Sequence, residues 1–227
     1  MDKQVKQFLE SAVGWAAGED APSRELVGEV GELPFPRIPK PEEAREYLWR
    51  ILSYPERGRA LAILNALDLI IELIPSWTAY IHVQDLRLAA VEEVHLERWA
   101  DGLSEAAFHR ICRFHDTSVD GRLNGWALTS LAALLIHEGD SIAGYLSSLR
   151  IDFTALEATP GEIERIIAIL TEFPLVLAAL SKGEHKSFKI LPATLIVTLA
   201  TMFADERFTE EQTAAAILAA DRWLTQS

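Results

Sequence analysis

Apolar residues in this chain recur every three to four positions over most of its length, and no convincing run alternates them with polar ones. That spacing restricts the buried surface to helices, because a half-buried strand repeats every two residues and a helix every 3.6. The chain is therefore expected to be all-α, with about nine or ten helices, no β-sheet and one domain over residues 1–227. Either a multi-helix bundle or a stack of helical hairpins satisfies the pattern.

The first helix is expected over Asp2 to Ala17, with Val5, Phe8, Leu9, Ala12, Val13 and Ala16 on one face and Gly18 ending it. Residues 31–41 hold prolines at 34, 36, 39 and 41, which predicts an extended connector because proline removes amide donors and biases its predecessor toward extended backbone. Its PxxP spacing suits docking in an aromatic groove. The expected arrangement is instead an arm packed across its own domain by Phe35 and Ile38. Pro41, followed by Glu42 and Glu43, opens the next helix, which runs to about Leu52.

Residues 57–74 are apolar around most of a helical circumference, broken only by Asn65, Asp68 and Glu72. Their spacing of three and four predicts one central helix with a single polar seam. Pro75 ends that helix, and Ser76 is placed to cap a long one toward Ala100. Further helices are expected at 104–115, 124–137, 141–149, 160–181, 190–204 and 209–225, with Pro174 kinking or splitting its own. Thr209 and Gln212 form a capping box. Residues 123–138 also align without gaps onto 191–206, as two similar apolar helices followed by a turn and a capped helix.

The formal charge is −13, distributed as −2, −5 and −6 over residues 1–40, 41–116 and 117–227. A general nucleic-acid binder needs the opposite field, so that class is disfavoured. The start of the chain has no apolar run of signal-peptide kind, and the longest apolar stretches are interrupted or too short to span a bilayer. The single Cys112 permits no intramolecular disulfide. A cytoplasmic protein with no membrane partner and no cofactor is expected.

Two constellations carry candidate chemistry. The Asn65–Asp68–Glu72 seam is the leading binding candidate, because carboxylates on an otherwise buried helix must be paired or solvated. His115 and Asp116, with Asp120 and His109, form the alternative: an adjacent His-Asp pair of the kind metal-dependent phosphohydrolases use. The position of His115 at a helix C-terminus is already explained by the helix dipole, and no metal site is assigned. Glu92 and His95 have the spacing of one di-iron ligand pair, but no second such pair exists. Phosphate-binding glycine loops, nucleophile elbows and zinc signatures are absent from the sequence. The expected function is non-enzymatic: a protein–protein interaction module, of inhibitor or immunity type, binding a basic partner through an acidic helical surface. The alternative is a metal-dependent hydrolase or small-molecule-binding helical protein using the His/Asp pocket.

Overall fold

Helix starts and stops along the chain follow its caps and prolines. A computed structural model describes residues 1–94, 100, 102–116, 125–137, 142–184 and 190–226. Among them the elements are helical, with no strand: α1 (Lys3–Ala16), α2 (Arg24–Glu32), α3 (Pro41–Ser53), α4 (Arg57–Ala66), α5 (Leu69–Leu73), a 3-10 helix (Pro75–Val83), α6 (Gln84–Glu93), α7 (Glu105–His115), α8 (Gly125–Leu134), α9 (Ile142–Ala155), α10 (Pro160–Leu180), α11 (Pro192–Ala204) and α12 (Glu210–Gln226). No described helix is long and apolar enough to cross a membrane. Contacts cluster into two units: Met1–Gln84 with His137–Thr159, and Asp85–Ile136 with Pro160–Ser227.

In the first unit, Asp2 caps α1 by accepting the Gln4 amide, and the helix buries the six apolar residues its periodicity selects. This face packs on α2, α3 and α4. Ser23 caps α2, a helix the sequence pattern does not announce: only Leu26 and Val30 are buried on it. The 57–74 segment is not one helix. It breaks at Leu67–Asp68, where Asp68 adopts left-handed backbone (φ 53°), a conformation aspartate tolerates better than most residues. Apolar residues surround the segment because α4 and α5 are separate helices, burying Ala60, Leu61 and Leu64 on the first and Leu69, Ile70 and Leu73 on the second. The long helix expected after Ser76 is also replaced, first by the 3-10 helix and then by α6. The Ser76 amide and hydroxyl both donate to the fully buried Asp152 of α9, which ties the 3-10 helix to α9.

The proline-rich segment is helix-free from Leu33 to Lys40 and includes a cis Phe35–Pro36 bond. Ile38 is buried at 2% exposure, as expected of a packed arm, but Phe35 is not: it stands 63% exposed.

The core of the second unit is built on α8 and α11, the two segments that the internal alignment matches. They pack on each other, and α11 also packs on α7, α10 and α12. Every residue from Ala193 to Met202 is buried. Glu172 of α10 accepts the Leu191 amide (3.0 Å) and the Thr194 hydroxyl (2.6 Å), putting a carboxylate at the positive end of α11. Thr198 and Thr201 satisfy their buried hydroxyls on backbone carbonyls one turn earlier. Ser104 caps α7, and the Thr209–Gln212 capping box of α12 forms reciprocally. Pro174 does not split α10, which runs unbroken from Pro160 to Leu180. On α7, Ala107, Ile111 and His115 form the buried stripe, and Phe108 and Cys112 are half-buried.

Candidate functional site

Glu72 is buried, and its two carboxylate oxygens accept the consecutive backbone amides of Arg37 (3.0 Å) and Ile38. The guanidinium of Arg37 completes this corner. Its Nε donates to the Leu33 carbonyl, its Nη2 to that of Gly31 and its Nη1 to that of Leu67 (3.3, 3.1 and 2.6 Å). One cation thus caps the carbonyl ends of α2 and α4, where helix dipoles concentrate negative charge. The seam residues do not share one helical stripe. Asn65 accepts the indole N–H of the buried Trp77 (2.7 Å), Asp68 is exposed at the break, and Glu72 holds the proline-rich segment. The buried Arg57 donates to the Tyr54 carbonyl, and burial pulls its guanidinium down to about 10.

The His/Asp group lies in the second unit. His115 is fully buried; its Nδ1 lies 2.8 Å from the Ile111 carbonyl and its Nε2 lies 2.9 Å from the Thr129 hydroxyl. A carbonyl only accepts, so Nδ1 carries hydrogen. Trp126 stacks on the imidazole at 4.0 Å between centroids, and Phe114 meets it edge-on at 5.1 Å. Gly125 admits this close approach: a Cβ there would lie 2.6 Å from the His115 Cα. His109 is on another face of α7, exposed beside Glu105 at 3.5 Å, and Asp116 is exposed. Asp120 lies outside the described residues, as do His95 and His185. Burial, followed by the charge of Asp116, pushes the Cys112 thiol up, away from nucleophilic thiolate character. Among the described residues, no three His, Cys, Asp or Glu side chains converge to hold a metal ion.

One feature that sequence reasoning missed lies on and before α2. Glu19, Asp20, Glu25, Glu29 and Glu32 are all exposed, with Arg24 the one cation between them. Glu25, Glu29 and Glu32 follow at i, i+4 and i+7 and share a face. Gly28 and Gly31 lie inside the same short helix. A Cβ at Gly28 would meet nothing within 4 Å, and one at Gly31 only the Leu67 side chain at an ordinary 3.6 Å. The signal was legible as glutamates at helical spacing, but the glycines and sparse apolar residues hid the helix.

No protein-family model matches the chain, and no curated protein is similar to it in sequence.

Proposed function

We propose that the chain is a non-enzymatic interaction protein, of inhibitor or immunity type, that binds a basic partner protein through the acidic ridge of residues 19–32. The single observation that carries this reading is that α2 breaks local helix rules without a packing reason. Like charges at i, i+4 repel, and glutamates in a last turn oppose the helix dipole. Glu25 and Glu29 form such a pair, Glu29 and Glu32 lie in the last turn, and that turn has no basic residue of its own. Interior glycines each cost a helix about 1 kcal/mol against alanine, and neither Gly28 nor Gly31 is demanded by its neighbours. Local choices that weaken a fold without improving its packing are characteristic of functional surfaces. A bare flank beside the carboxylates gives a Lys- or Arg-bearing surface close access, and the complementary charge accelerates association.

The test uses the full chain immobilised in extract of its native host. A basic protein should be retained at low salt and released as ionic strength rises. The Glu25→Lys/Glu29→Lys/Glu32→Lys variant should lose it, whereas reversal of the exposed Glu206, Glu210 and Glu211 in the second unit should not. Equal retention by both variants, or retention insensitive to salt, overturns the proposal.

A further inference from the structure

Three residues beyond Glu32, the chain presents Phe35, whose ring is 63% exposed. Its neighbours Pro34 and Pro36 are exposed as well. The segment carrying it is fastened on both sides without help from the ring. Glu72 takes the amides of Arg37 and Ile38, Ile38 is buried, and the Arg37 guanidinium clasps three carbonyls, two of them at Gly31 and Leu33 just before Phe35. Pro34, Pro36 and Pro39 have no amide donors left to satisfy. Phe35 is therefore held at a fixed place with its ring turned over to solvent. A ring mounted in advance loses little freedom on binding, and buried aromatics surrounded by polar rims carry most of the affinity of protein interfaces.

Position and charge together specify the occupant. Three residues of chain reach at most about 11 Å, so Phe35 lies beside the end of the ridge formed by Glu25, Glu29 and Glu32. We propose that Phe35 is the apolar anchor of the acidic-ridge interface, seated in an apolar pocket rimmed by Lys and Arg on the basic partner protein. This rests on the function proposed above and adds a distinct element to it: charge governs the approach, and the aromatic ring governs the lifetime of the complex.

The experiment places the photoreactive residue p-benzoylphenylalanine at position 35 of the full chain (Phe35→p-benzoylphenylalanine) in native-host extract. Irradiation should bond it to the same basic protein that the wild-type chain retains. With that protein purified, Phe35→Ala should weaken binding at least about tenfold, mostly through faster dissociation, while leaving the salt dependence unchanged. Phe35→Leu should recover part of the loss. Leu175→Ala, which removes an equally exposed leucine in the second unit, should bind as wild type. Because the Phe35 ring is exposed, none of these variants threatens folding. If Glu25/Glu29/Glu32 reversal abolishes binding but Phe35→Ala binds within twofold of wild type, or position 35 bonds nothing, the anchor is wrong and the acidic-ridge reading stands. If the wild-type chain retains no basic protein in a salt-dependent manner, both fall.

Discussion

The corner at Glu72 and the corner at His115 solve one problem with opposite outcomes. Each contains a buried polar side chain that a reading for chemistry would single out, and each commits both of its heteroatoms. Glu72 uses its oxygens on the Arg37 and Ile38 amides and so fixes a segment whose Phe35 faces solvent. His115 uses its nitrogens on the Ile111 carbonyl and the Thr129 hydroxyl, closes α7 onto α8, and is covered by Trp126. A buried titratable group is thus a structural post in both places, but only the first post displays anything outward.

The largest effect should come from closing the sealed corner further. Gly125→Ala drives a Cβ to 2.6 Å from backbone, which no side-chain rotation relieves, so a loss of about 3 kcal/mol or failure to fold is expected in denaturant unfolding. A change under about 1 kcal/mol would mean that α7 and α8 do not approach as described. Next, Glu72→Gln sets an amide NH2 against a backbone N–H and should cost about 2 kcal/mol, far more than Phe35→Ala at under about 0.5 kcal/mol. Equal costs would erase the distinction between post and display. Thr129→Val keeps the shape but leaves the buried His115 Nε2 without its hydroxyl, for about 1 kcal/mol.

A third titratable group, Asp205, extends the contrast to a buried carboxylate paired with an exposed cation. Hydrogen bonds from Arg207 hold the Asp205 carboxyl below its ordinary value. A depressed folded-state value contributes stability above the unfolded pKa and loses it as pH falls through the folded one. Asp205→Asn should therefore flatten the stability-versus-pH curve below about pH 4 without changing its shape near neutrality. A small effect of the opposite sign is expected from Gly28→Ala, which has open space for its methyl and should raise stability by about 0.5–1 kcal/mol.

Much of the helical scaffold was legible because it rests on local chemistry. The buried face of α1, the caps at Ser104 and Thr209, the Pro41 start and the matched pair α8 and α11 all follow from residues within a few positions of one another. The break at Asp68 was not legible, because the end of α4 is stabilised by Arg37, thirty residues away in sequence. The same distance hid the role of Glu72, whose partners are backbone amides that no side-chain motif reveals. A proline-bound aromatic beside an isoleucine suggests an arm that packs inward through both, yet only Ile38 finds the core and Phe35 faces solvent. Glycine and glutamate together masked α2, the element on which the functional reading now rests.

Amide hydrogen exchange at Arg37 and Ile38, compared between wild type and Glu72→Gln, tests most directly whether Glu72 is the post that holds the displayed segment. Both amides should exchange slowly in the wild type and at least about tenfold faster in the variant, with α1 amides unchanged. Exchange of both amides at free-peptide rates in the wild type, or protection untouched by the substitution, would contradict the account.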